Sequence, residues 1–139
     1  MIKDENNVDK FMEKLKEILD ARIEVGILQS GGVLNIAIIH EYGSAHIPER
    51  SFIRGTFDSR KKQIEQEGER LLKEVIEKDL DANRFFQSYG DYLVKQVRDY
   101  MHELQSPPNA PSTQKKKGSA NPLIYKGKMV ESIEWRVAR

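Results

Sequence analysis

His40, Glu41, His46 and His102 are the side chains from which a metal centre or a proton relay would have to be assembled. Their spacing argues against one. His40 and His46 lie six residues apart across a turn, no two histidines stand four apart on a helix, and no recognised ligand spacing is met. A histidine that hydrogen-bonds at the end of a strand is the expected role for His40. Carboxylates are plentiful, but most alternate with lysine and arginine along charged runs, which is the pattern of a solvated face with weak i,i+4 pairing. There is no Gly-rich phosphate loop, no nucleophile elbow and no serine set with histidine and aspartate in a known motif. The chain has no cysteine, which removes disulfides, thiolate zinc sites and cysteine nucleophiles together. No catalytic residue, cofactor site or metal site is therefore expected, and an enzyme is not the expected class.

Two other clusters carry chemistry of the binding kind. Lys115, Lys116, Lys117, Lys126 and Lys128 place five positive charges between Gln105 and Met129 with no acid among them. Such a segment can touch phosphate backbone without reading sequence, or it can simply be a solvated linker. The second cluster is the corner from Tyr42 and Gly43 through Ile47 and Pro48 to Arg50, Phe52 and Arg54. Arginine and phenylalanine are residue types enriched where proteins meet, so Arg50 and Arg54 could pair with acids of a neighbour while Phe52 fills an apolar pocket. The plainer alternative has Phe52 stapling its own helix to its own core.

The elements that must hold these clusters follow from periodicity. Val8, Phe11, Leu15, Ile18 and Leu19 recur at helical steps with charge between them, and Asn6 or Asn7 can cap the helix they form. Residues 22–28 and 33–42 are β-branched runs, the second alternating Leu34, Ile36, Ile38, His40 and Tyr42, and the loop between them holds Gly31 and Gly32. The pattern predicts an antiparallel hairpin with 33–42 as its central strand. Gly43 ends that strand and Pro48 narrows the conformations of the loop after it. One long helix is predicted over 54–80, with Gly68 inside it marking either tight packing or a bend. A third helix, capped near Asp81 and ending before Pro107, carries Phe85, Phe86, Tyr89, Leu93, Val97, Tyr100, Met101 and Leu104, the richest apolar stripe in the chain. Residues 105–121 lose all apolar periodicity over seventeen positions and are expected to be a flexible basic loop. Ile133, Trp135 and Val137 then alternate as a last strand that can join the hairpin.

The apolar run into His40-Glu-Tyr-Gly43 and the segment Ile47-Pro-Glu-Arg-Ser-Phe-Ile-Arg54 resemble the neck or tail-completion proteins of long-tailed bacteriophages and their prophages. In those proteins a strand ending in Glu-Tyr-Gly leads through a Pro-x-Arg-x-Phe-hydrophobic-Arg segment into a long helix. Asn121-Pro-Leu-Ile-Tyr-Lys-Gly-Lys-Met-Val-Glu-Ser-Ile-Glu-Trp-Arg-Val137 is similar to the same family's Pro-Leu-x-x-Thr-Gly-x-Leu-x-x-Ser-Ile ending. Lys126 stands where the family usually has threonine, and Met129 where it usually has leucine. The resemblance implies a virion structural protein of the head-tail junction that forms a homo-oligomeric ring, a hexamer, through which double-stranded DNA passes. It further implies portal or adaptor and tail-terminator or tail-tube proteins as partners, and basic loops facing the DNA.

Composition sets the bounds within which this must fit. The 139 residues suit one domain, 1–139, and a formal charge of +1 is not that of a dedicated nucleic-acid binder. With 32% charged and 38% hydrophobic residues the core is lean, a hint that neighbouring copies supply some stability. No apolar leader opens the chain and no run approaches a membrane span, so synthesis and folding in the bacterial cytoplasm and no membrane partner are expected. The expected fold is α+β, a small antiparallel sheet of hairpin plus C-terminal strand packed with three helices, one of them long. The other class to be weighed is a small nucleic-acid-binding or regulatory protein of a mobile element that uses the basic 115–128 segment.

Overall fold

The computed structural model describes residues 5–46, 48–104 and 127–139. The chain is α+β. Its elements run α1 (Glu5–Asp20), β1 (Arg22–Gly26), α2 (Gly32–Tyr42), α3 (Phe52–Ser59), α4 (Lys61–Glu77), α5 (Ala82–Glu103), α6 (Gly127–Glu131) and β2 (Glu134–Ala138). The expected loop at 105–121, and Lys115, Lys116, Lys117 and Lys126 with it, lie outside the described residues, as does Ile47.

The predicted hairpin is absent. Its first strand exists as β1, but 33–42, read as the central strand, is α2. The reason is visible in the composition of that run. Val33, Leu34, Ile36, Ala37, Ile38 and Ile39 are apolar in every direction, so alternation by two and repetition by 3.6 cannot be told apart. Ala37 and Glu41 become buried while Ile39, which a strand would place on the same face between them, stays 37% exposed, a helical and not a strand pattern. With 33–42 withdrawn from the sheet, β1 pairs directly with the last strand. The two run antiparallel from Arg22 opposite Ala138 to Gly26 opposite Glu134, and they form a two-stranded sheet. The C-terminal strand thus joins the partner expected for it without the hairpin that was to carry it.

The single helix predicted over 54–80 is two. Arg60, with φ −115° and ψ 17°, separates α3 from α4, and its guanidinium crosses to α5, donating to Gln96 Oε1 at 3.0 Å and pairing with Glu103. Gly68 is not the site of the bend. A Cβ there would sit 2.8 Å from the Tyr89 hydroxyl, so the glycine lets α4 and α5 approach until Tyr89 Oη donates to Ile64 O at 2.7 Å. Burial away from water pushes the Tyr89 phenol above its ordinary pKa. Six helices replace the three expected among the described residues.

The helix α5 is the axle, as its apolar stripe predicts. Asp81 caps it by accepting from Arg84 N at 2.9 Å, and its 22 residues span about 33 Å at helical rise. Its N-terminal half buries Phe85 and Phe86 with Ile18 of α1 and Leu71 and Val75 of α4. Its C-terminal half buries Val94, Val97 and Met101 with Phe52 of α3, Ala37 of α2, Met129 of α6 and Ile133. Trp135 touches both clusters, and its indole N–H donates to Asp91 at 2.8 Å. Consequently α1 and α2 belong to opposite ends of the axle.

Candidate interface corner

Between α2 and α3 the chain reverses over the nine residues 43–51, and one buried carboxylate organises the reversal. Glu41, only 6% exposed, accepts from Ser51 Oγ at 2.6 Å, Ile53 N at 2.8 Å, Arg54 N at 3.3 Å and Arg54 Nε at 2.7 Å. Two of those donors are backbone N–H groups of the first turn of α3, which an α-helix leaves unpaired. Ser51 occupies the N-cap position without capping through its own side chain. A carboxylate delivered from the preceding helix does that work, placing negative charge at the positive end of α3.

Arg54 closes the corner from the solvent side. It pairs with Glu41, donates to Glu41 O at 2.5 Å and to Glu49 Oε1 at 3.0 Å, and lies 4.5 Å above the centre of the Tyr42 ring. The hydrogen bond to Glu41, with the charges of Glu41 and Glu49, raises the Arg54 pKa above its ordinary value. Gly43 supplies the turn that makes these contacts reachable. Its φ of 78° suits a residue without a side chain, and a Cβ would come 3.0 Å from Glu49 N.

The residues singled out from the sequence therefore divide. Phe52 is 2% exposed and fills the protomer's own core, the plainer of its two readings. Arg50 is 5% exposed; its N–H donates to His40 O at 2.6 Å and its guanidinium lies 3.4 Å from His40 Nδ1. Desolvation lowers the Arg50 pKa from its ordinary value. Arg54 pairs with acids of its own chain. Tyr42 and Pro48 face solvent, and Lys128 is exposed on α6, near Gly32, Val33 and Ile36 of α2. His46 stays at the surface, where its N–H meets Ser44 Oγ at 3.4 Å. Among the described residues no group of three His, Asp or Glu could hold a metal ion.

Two features of the corner were not anticipated. The sequence pattern puts Glu41 on a strand face, and its partners Ser51, Ile53 and Arg54 lie ten to thirteen residues on and leave no local signal of the cap. The other is the outer side of α2, where Ile38, Ile39 and Tyr42 are 48%, 37% and 63% exposed. The available signal was the absence of any polar face over 33–39, since a helix that is apolar all round belongs inside something. In the protomer only half of it is inside.

The corner is thus a fixed bend that holds an apolar helix against solvent, with arginine and tyrosine at its rim. Within it the Ser51 hydroxyl is bonded to Glu41, whose other donors are the backbone of α3 and Arg54. No protein-family model, no curated protein and no solved structure matches the chain.

Proposed function

We propose that this chain is a structural protomer of the head-tail junction of a long-tailed bacteriophage or prophage, a neck or tail-completion protein acting as a ring through which DNA passes. The observation that carries the reading is α2. A helix with apolar residues on every side, held by a buried carboxylate network yet left half uncovered, is built to be completed by another protein surface. The resemblance of residues 40–54 and 121–137 to that family says which assembly. In this reading the chain does no chemistry, is made in the bacterial cytoplasm and ends in the virion neck. Its neighbours are copies of itself, portal or adaptor proteins above and tail-terminator or tail-tube proteins below. The lysines at 115–117, 126 and 128 supply the charge for contact with phosphate backbone that does not read sequence.

Electron microscopy of the purified chain at high protein concentration tests this. Closed rings with an open centre are the expected outcome. Particles no larger than one protomer, together with duplex binding by the monomer that weakens steeply with salt, would replace it with the stand-alone nucleic-acid-binding reading.

A further inference from the structure

A ring needs two different patches on each copy, and the protomer has a second uncovered apolar face besides α2. On α1, Val8, Met12 and Leu19 are 43%, 55% and 66% exposed. Their intervals of four and seven put them on one stripe of the helix, while Ile18 turns inward to the core. Along the solvent edge of that stripe stand Asp9, Glu13 and Asp20, with Lys16 as the lone cation. The α2 face has no charged residue among Asn35, Ile38, Ile39 and Tyr42. Cations flank it, Lys128 beside Val33 and Ile36 and Arg54 over Tyr42. The nearby acids are Glu131 and Glu134, close to Leu34, and Glu49, which Arg54 already holds.

Three pairings of these faces are conceivable. Two α1 stripes back to back would set the acidic edge of one copy against that of the other, and like charges in contact cost several kcal/mol. Two α2 stripes would form an isologous pair that closes at two copies and leaves both α1 stripes exposed. Only α2 of one copy on α1 of the next covers both faces, can set an acidic edge against Lys128 and leaves each copy free to repeat the contact. The two faces belong to opposite ends of α5, the polarity a head-to-tail contact requires. We infer that the subunit contact is heterologous, with the Ile38, Ile39 and Tyr42 stripe of one copy seated on the Val8, Met12 and Leu19 stripe of a second copy. This inference rests on the ring reading above and specifies its interface.

The absence of cysteine makes the test clean. Ile39→Cys and Met12→Cys, 37% and 55% exposed in the parent, are made separately, checked for parent-like helical circular dichroism, and oxidised alone and as a mixture while rings are counted by microscopy. Disulfide-linked dimers in the mixture and in neither variant alone are expected. Adding Asp9→Lys and Glu13→Lys to the Met12→Cys partner should slow cross-linking about tenfold at low salt. Rings without cross-linking in the mixture, or cross-linking of Ile39→Cys with itself, overturn the heterologous contact and leave the ring standing. Neither rings nor cross-links would overturn both.

Discussion

Replacing Glu41 with alanine is expected to lower the stability of the protomer by about 3 kcal/mol, because it leaves the first turn of α3 and the Arg54 guanidinium without their shared acceptor. Removing one partner of a fully buried ion pair costs roughly 3 to 5 kcal/mol, and losing a helix cap costs roughly 0.5 to 2. The two are not independent here. One carboxylate serves both, and the Arg54 side chain is 47% exposed, so water takes over part of what Glu41 gave it. These considerations hold the total near the lower end of the sum. Glu41→Gln keeps the shape and an acceptor but not the charge, and about half the loss is expected. Urea unfolding reads both, as a lower midpoint at unchanged slope. A Glu41→Ala protein as stable as the parent would show that the corner does not depend on its carboxylate.

Phe52→Ala should cost about 4 kcal/mol, the larger of the two effects. The ring is 2% exposed and packs in the cluster with Val97, Met101 and Ile133, the last two among the most completely buried side chains of the chain. Deleting a buried phenylalanine costs roughly 3 to 5 kcal/mol, from lost transfer energy and the cavity left behind. Phe52→Leu, closer in volume, should lose about 1.5 kcal/mol. The pair also separates the two roles open to Phe52. An anchor in a neighbour's pocket would leave the isolated protomer stable on truncation and weaken only assembly. A core residue weakens the protomer itself, and burial makes that the expected outcome in thermal or urea unfolding.

What was legible in the sequence was whatever repeated with one unambiguous period. The α5 stripe from Phe85 to Leu104 has polar residues filling its other face, and both its helix and its Asp81 cap are present. Alternation at Ile133, Trp135 and Val137 pointed to the C-terminal strand, found at Glu134–Ala138. The α1 stripe was equally clear. Residues 33–42 failed for the opposite reason, since seven apolar positions carry no period and β-branched composition favoured the wrong element. The break at Arg60 was hidden as well. Nothing local ends the helix there; contacts with Gln96 and Glu103, 36 and 43 residues away, hold Arg60 at the junction. The corner was found as a place but misjudged as chemistry. Pro48, Gly43 and the two arginines drew attention to it, whereas Glu41, which ties it together, had been assigned to a strand.

The helical geometry of 33–42 is also why the exposed side of α2 matters. On a strand, Ile38 and Ile39 would point to opposite faces, and one of them would reach the core. On a helix both stand on the outer side with Tyr42, and three large apolar groups meet water together. Burying such side chains against another protein gains roughly 1.5 to 3 kcal/mol apiece before the costs of association are met. The lean core expected from composition and the uncovered helix are one fact seen twice, because apolar residues that could have enlarged the core are spent on the surface.

Sedimentation velocity over a concentration series, run on the parent chain and on an Ile39→Asp, Tyr42→Asp double variant, tests the surface role of α2 most directly. The parent should shift from protomer to a single large species as concentration rises, and the variant should remain at protomer mass with its helical circular dichroism intact. A parent that sediments as a protomer at every concentration, or a variant that assembles as readily as the parent, would contradict the account.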